Sequence, residues 1–295
     1  MTYQHVKPRT YKGSLTDTDR WQHYRRRAGD VFVCTPPKCG TTWTTTIVRM
    51  LLKGSTEVSA QDQVQWLDAH IIDLDEVLGA MQAVGGPRCI KTHTPFDGIP
   101  WFDDVHYIAV YRHPLDVLFS LRKHLLNAYD TPPDHPFLAD AEQALNSFVT
   151  HGIDPADFDF DCLATLVLHY QTFIAQPQPE NLLLLHYTDM LADPHNTVET
   201  IARHIGVDAA PDAIDAVVQA ASFGAMKSKA DQFAPFAEHG YWRDPAAFFD
   251  SGGTGKWAGK LPKDALRLYR DQLNKSLTKA QQNWLENGDS APNVV

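Results

Sequence analysis

The chain has 295 residues, 43% of them apolar and 21% charged, and its 36 acidic against 26 basic side chains give a formal charge of −10. Such a composition excludes a disordered chain, and a length of this order buries a large core without disulfides or a structural metal. The acidic balance argues against a nucleic-acid partner, which calls for a basic footprint.

The first twenty residues offer no apolar stretch for a secretory signal. The longest pure aliphatic run, Leu182 to Leu185, is far short of the ~20 apolar residues of a membrane span. Cys34, Cys39, Cys89 and Cys162 are scattered without a C-x-x-C pair, which fits neither a zinc framework nor a secreted disulfide scaffold. These features point to a cytoplasmic protein with no membrane span. No linker or repeat divides the chain, so residues 1–295 are expected to form one domain.

Asp30 to Thr35 reads as a buried strand, broken by Pro36-Pro37-Lys38-Cys39-Gly40-Thr41-Thr42. Trp43, Ile47, Met50 and Leu51 then fall at i, i+4, i+7 and i+8, one face of a helix that stops near Gly54. A second strand spans Arg88 to His93, and a third, Val105 to Tyr111, runs into Arg112-His113-Pro114. Pro114 suits a helix N1 position, with Asp116 in the first turn. A fourth strand, Leu182 to Tyr187, is followed by Thr188 as a cap and a helix ending near Gly206. Between them, residues 129–161, with their Thr131-Pro-Pro-Asp-His-Pro136 run, read as a loop-like insertion over the ligand edge. Asp208 onward reads as helical up to Phe248.

Strands alternating with helices imply an α/β fold of three layers, a parallel sheet flanked by helices on both faces. Ligands of such sheets bind beyond the carboxyl ends of the strands. Lys38, His93, Arg112 and Tyr187 all fall there.

The loop Lys38 to Trp43 joins a strand to a helix N-terminus, where free N–H groups favour an anion and Lys38 adds a full charge. It is not a Walker A loop, since G-x-x-x-x-G-K-[ST] is absent. The nearest decoy, Asp250-Ser-Gly-Gly-Thr-Gly-Lys-Trp257, has Asp in place of the first Gly and Trp where a hydroxyl must ligate magnesium.

Thr35-Pro-Pro-Lys-Cys-Gly-Thr-Thr-Trp43 resembles the 5′-phosphosulfate loop of the cytosolic-type sulfotransferases, which use 3′-phosphoadenosine-5′-phosphosulfate (PAPS) and release 3′-phosphoadenosine-5′-phosphate (PAP). Lys91-Thr92-His93 is similar to that family's K-T-H element, and Arg112 with Ser120, eight apart, to its 3′-phosphate pair. Tyr187 and Ser222-Phe223-x-x-Met226 fall where the family contacts adenine, and Phe249 to Trp257 looks like its late R-K-G-x-x-G-D-W segment. The matches keep family order from about residue 30 to 260, in a style similar to the actinobacterial members.

The resemblance implies a sulfotransferase fold with a P-loop-like phosphosulfate loop, and an enzyme moving a sulfuryl group from PAPS to a hydroxyl of a small-molecule or lipid-like acceptor. It implies catalytic roles for Lys38, Lys91 and His93. Lys38, Cys39, Gly40, Thr41, Thr42 and Trp43 are expected around the 5′ end of the nucleotide. Arg112 and Ser120 are expected on the 3′-phosphate, with backbone donors at Ser251 and Gly252, and Tyr187, Ser222 and Phe223 join Trp43 around the adenine. An imidazole with an ordinary pKa near 6.5 suits base work at neutral pH. Lysines and amides stabilise the leaving oxygen, so no metal is expected.

Two segments depart from the family pattern. Cys39 stands where the family has Ser, and its place between Lys38 and a helix N-terminus leaves two expectations open, a reactive thiolate or an inert thiol tucked under the loop. Asp250-Ser251 replaces the family's basic pair and Lys256 its Asp, which predicts a carboxylate brought toward the 3′-phosphate and a weaker clamp. The acceptor side is expected to be lined by the insertion and by residues near Trp66-Leu67. The alternatives are a nucleoside or small-molecule kinase, and a non-catalytic 3′-phosphonucleotide-binding homologue.

Overall fold

The computed structural model describes residues 8–57, 65–154, 157–176, 179–237 and 240–289. Four strands, β1 (Val31–Cys34), β2 (Cys89–Thr92), β3 (His106–Tyr111) and β4 (Leu182–His186), form a parallel sheet in the order β2-β1-β3-β4. The register sets Cys34 opposite both Thr92 and Ala109, and Tyr111 opposite His186. Each strand therefore releases its chain at the same edge of the sheet.

Helix α1 (Thr41–Lys53) follows β1, and α2 (Leu74–Ala83) precedes β2. After β3 come α3 (Pro114–Asn127), α4 (Ala141–Thr150) and α5 (Leu163–Ile174). After β4 come α6 (Tyr187–Ala192), α7 (Pro194–His204), α8 (Pro211–Ala220), α9 (Phe223–Ser228), α10 (Ala230–Phe233), α11 (Lys263–Ser276) and α12 (Lys279–Asn287).

Side chains alternate across a strand, and β1 shows both faces covered. Val31 and Val33, with Ile108 and Val110 of β3, pack against Ile47, Val48 and Leu51 of α1, Ile201 of α7 and Val217 of α8. Phe32 and Cys34, with Tyr107 and Tyr111, pack on the opposite face against Leu118 of α3, Phe148 of α4, Leu166 of α5 and Tyr269 of α11. Each such fully buried side chain contributes roughly 1.5–3 kcal/mol. At the sheet's other end the Asp30 carboxylate accepts from Arg88 and from the Tyr24 hydroxyl, joining the starts of β1 and β2.

Two expectations are corrected here. Thr188 does not cap the helix after β4; the His186 imidazole accepts from the Thr188 N–H instead, and α6 gives way to α7, capped by Asp193. The insertion 129–161 is not a plain loop. Asp140 caps α4, whose Ala144, Leu145, Phe148 and Val149 form one buried stripe. The proline-rich run ahead of the helix masks that period in the sequence. Residues 155–156 of the insertion lie outside the described residues. Among the described residues, no helix is long and apolar enough to cross a membrane.

Candidate active site

The loop after β1 makes its turn with Lys38 at φ 66° and Gly40 at φ 102°, both left-handed. A side chain at Gly40 would come within 2.9 Å of the Tyr187 ring, so only glycine lets the loop approach β4 this closely. Gly40 is also the N-cap of α1, which has no side-chain cap and leaves its first N–H groups facing the sheet edge. The Thr35 and Thr41 hydroxyls bond each other across the turn.

Lys38 Nζ lies 2.8 Å from His124 Nδ1 and 4.7 Å from the centre of the Phe248 ring. Burial, then the charges of Arg112 and Lys256, push the Lys38 ammonium down to about 7. Burial, followed by Lys38 and Lys91, holds His124 well below its usual range.

On β2, Lys91 Nζ stands 3.3 Å from the Trp66 ring centre, and burial followed by the Lys38 charge brings it to about 7. His93 bonds the Thr35 carbonyl through Nδ1. A carbonyl only accepts, so the proton is on Nδ1 and Nε2 keeps a free lone pair. Burial, then Lys91, keeps this imidazole neutral far below its usual pKa. The backbone on either side is held by Asp68, which accepts from the Thr92 and Thr94 hydroxyls.

Arg112, directly after β3, donates to the Lys38 carbonyl (3.2 Å) and the Gly253 carbonyl (2.6 Å) and lies 4.3 Å over the Tyr187 ring. Its buried Nε has no partner among the described residues. Tyr187, directly after β4, donates to the Gly252 carbonyl at 2.7 Å and meets Trp43 edge to face at 5.7 Å. The late loop is thus tied to β3 and β4 at adjacent residues. Asp116 of α3 adds two more ties by accepting from the Gly255 and Lys256 N–H groups. Gly252, at φ 66°, has no room for a side chain because Phe223 would be 2.6 Å away.

Lys38, Lys91, His93, Arg112, Tyr187 and Trp43 therefore gather at one edge with the loop Cys39 to Thr42. Phe223, 38% exposed, joins through Gly252, and Ser222 caps α9 beside it. Ser120 lies one turn beyond Asp116 on α3 and hydrogen-bonds none of the described residues. Ser251 points to solvent.

Three sequence expectations change. Cys39 is fully buried and its thiol is pushed up to about 12, chiefly by burial, so the reactive thiolate is absent. Asp250 is not an uncompensated carboxylate, since Lys256 pairs with it at 2.7 Å. Burial pushes Asp250 up, but the Lys256 bond and charge, with Lys123 and Lys227, hold it below the usual carboxylate range. Leu67 is wholly buried and Trp66 lies under Lys91, so neither lines the cavity beside His93.

That cavity, about 60 Å³, is walled by Pro36 and Pro37 of the loop, Val117 and Leu121 of α3, and Phe148, Phe158 and Asp161 of the insertion. His124, Asp68 and Phe248 were not singled out in the sequence. Nothing in their local patterns marks them; only the tertiary fold brings them to Lys38 and His93. Among the described residues no group of three or more His, Cys, Asp or Glu is placed to hold a metal ion.

Comparison with known proteins bears on the family and the fold. The family model described as the sulfotransferase domain matches residues 28–284. A glycolipid sulfotransferase of Mycobacterium tuberculosis is 28% identical over 306 residues, covering 94% of each chain. Retinol dehydratase in complex with retinol and PAP superposes with a TM-score of 0.68 at 19% identity, over 90% of this chain and 88% of that one. A mouse sulfotransferase, SULT7A1, complexed with PAP gives a TM-score of 0.68 at 17% identity, over 89% and 88%.

Proposed function

The chain belongs to the sulfotransferase domain family, and on that premise we propose that it transfers a sulfuryl group from PAPS to a hydroxyl of a lipid-like or small-molecule acceptor. The observation that carries this reading is the convergence of Lys38, Lys91 and the free Nε2 of His93 at one sheet edge, beside a cavity open to His93.

In this reading His93 Nε2 accepts the acceptor's hydroxyl proton as that oxygen attacks sulfur. The new O–S bond forms while the bond between sulfur and the 5′-phosphate oxygen breaks, and the electron pair stays on the phosphate. Lys38 and the α1 N–H groups stabilise charge growing on that leaving oxygen, and Lys91 faces the sulfuryl oxygens. The Thr35 carbonyl holds His93 in the tautomer that can act as base.

The residues present suit the nucleotide. Arg112 has a buried Nε without a partner among the described residues, and Lys38 and Lys256 add cations near it. Trp43, Tyr187 and Phe223 supply ring faces for the adenine, with Ser222 beside Phe223. Arg112 and Ser120 flank the 3′-phosphate position, with Ser251 and Gly252 offering backbone donors. The PAP bound in retinol dehydratase and in the mouse enzyme supports the donor, and the mycobacterial relative's name supports a lipid-like acceptor.

The test is a titration with PAP and a transfer assay with sulfur-labelled PAPS against pooled glycolipids and alcohols in excess chelator. PAP binding with metal-independent labelling of an acceptor is expected. A protein that ignores PAP, or that transfers phosphate from ATP, refutes the reading.

A further inference from the structure

The cavity beside His93 is mostly apolar but is also lined by four polar side chains that the transfer chemistry does not use, Asp159, Asp161, Thr165 and His169, of which Asp159 is taken up by Leu15 and Thr16. Asp161 immediately precedes Cys162, the N-cap of α5, and His169 lies two turns along the same helix. Thr165 and His169, four apart on α5, share one face, and Asp161, just ahead of the helix, lines the cavity with them.

His169 is 2% exposed, and its Nε2 is buried with no partner among the described residues. Its Nδ1 lies 2.9 Å from the Tyr111 hydroxyl, while that hydroxyl is 3.4 Å from the His169 carbonyl. Tyr111 either accepts from Nδ1–H while donating to that carbonyl or donates to Nδ1, and in both tautomers the buried Nε2 meets none of the described residues. Asp161 hydrogen-bonds none of the described residues. It is close enough to sense the charge of Lys38, and His169 close enough to affect His93. Thr165 is occupied with the α5 cap, where its hydroxyl bonds the Cys162 backbone.

A buried ring nitrogen without a partner is costly unless a ligand meets it, and the half-buried Asp161 carboxyl offers a second polar contact in the same cavity. A hydroxyl both donates and accepts. It therefore meets Nε2 in either tautomer and Asp161 in either protonation state, whereas an ammonium or a carboxylate serves only one of them, burial having pushed the Asp161 carboxyl up to about 7. We propose that Asp161 and His169 form a subsite for a second hydroxyl of the acceptor, making the preferred substrate a polyol, such as a sugar or glycerol headgroup, over a simple alcohol. This rests on the reading that the cavity receives the acceptor with His93 as its base.

The experiment compares octane-1,2-diol, 1-octanol and 2-amino-1-octanol, which share one chain, as acceptors with labelled PAPS. Their dissociation constants from PAP-saturated protein are measured in parallel by saturation-transfer NMR. The diol is expected to exceed the simple alcohol about 10–100-fold in kcat/KM, with the same order in binding. In Asp161→Ala and in His169→Phe that ratio is expected to collapse toward one. The ratio is internal to each variant, so partial loss of folded protein cancels. Equal use of diol and alcohol by the wild type, an intact ratio in both variants, or preference for the amino alcohol overturns the subsite and leaves sulfuryl transfer standing. Transfer to no hydroxyl at all overturns both.

Discussion

Binding of PAP is expected to take up protons from solution. Lys38 and Lys91 are both brought to about 7 from 10.5, first by burial and then by neighbouring cations. At about pH 7.5 a lysine of that pKa is only about one-quarter charged, whereas a phosphate anion alongside opposes the burial penalty and restores the ordinary range. Recharging both side chains therefore takes up about 1.5 protons per nucleotide. The sign follows directly: the bound state holds more protons, so affinity falls as pH rises from about 7 toward 9, and uptake fades near pH 6, where both amines are already charged. Calorimetric titration in buffers of different ionisation enthalpy reads the proton number as a slope. Lys38→Met should cut uptake to less than half, because Lys91 also loses the like charge that lowers it. Observed enthalpies that do not vary with buffer near pH 8 would refute the reasoning, since the lysines would then be charged before the nucleotide arrives.

Replacing His93 with Ala should lower kcat by roughly 10²–10⁴-fold, the usual worth of a general base, with PAP affinity unchanged; full activity would remove His93 from the reaction. Cys39, fully buried with its thiol at about 12, should resist iodoacetamide equally with and without PAP and react only on unfolding. Mass-spectrometric labelling that is fast and PAP-protected would contradict that burial. Asp250→Asn should free Lys256 and tighten PAP about two- to five-fold, the scale of about 0.5–1 kcal/mol for a partly exposed ion pair, with the gain shrinking in salt. Weaker binding would mean that the pair's role is to hold the loop in shape. Tyr187→Phe removes the bond to Gly252 and should weaken PAP about two- to ten-fold, from the roughly 0.5–1.5 kcal/mol of a neutral hydrogen bond; unchanged affinity in the same titration would show that the loop holds without it.

Much of the fold was legible because its signals are local. Asp30 to Thr35 and Val105 to Tyr111 are short apolar runs ended by loop chemistry, and in the structure they are β1 and β3 within a residue or so at each end. Pro114 and Gly54 mark helix ends through their own backbone preferences, and both stand there. The parallel order follows from strands alternating with helices. That order alone sets Lys38, His93, Arg112 and Tyr187 at one edge.

What the sequence could not show depends on contacts between distant positions. The buried stripe of α4 was hidden by the prolines before it, and only packing on α11 and α5 gives it a partner. Cys39 illustrates the same limit. Its neighbours in the chain leave a thiolate open, but the fold buries the sulfur, and desolvation outweighs the cations around it. Asp250 and Lys256 are six residues apart with no helix to pair them, and only the path of the loop over Arg112 and Tyr187 brings them together. His124 against Lys38, Asp68 beneath His93, and the meeting of His169 and Asp161 in one cavity likewise exist only in three dimensions. Strand and helix signals repeat over a few residues and can be read along the chain. Burial, charge pairing and cavity walls are set by elements tens of residues apart, and those the tertiary structure alone decided.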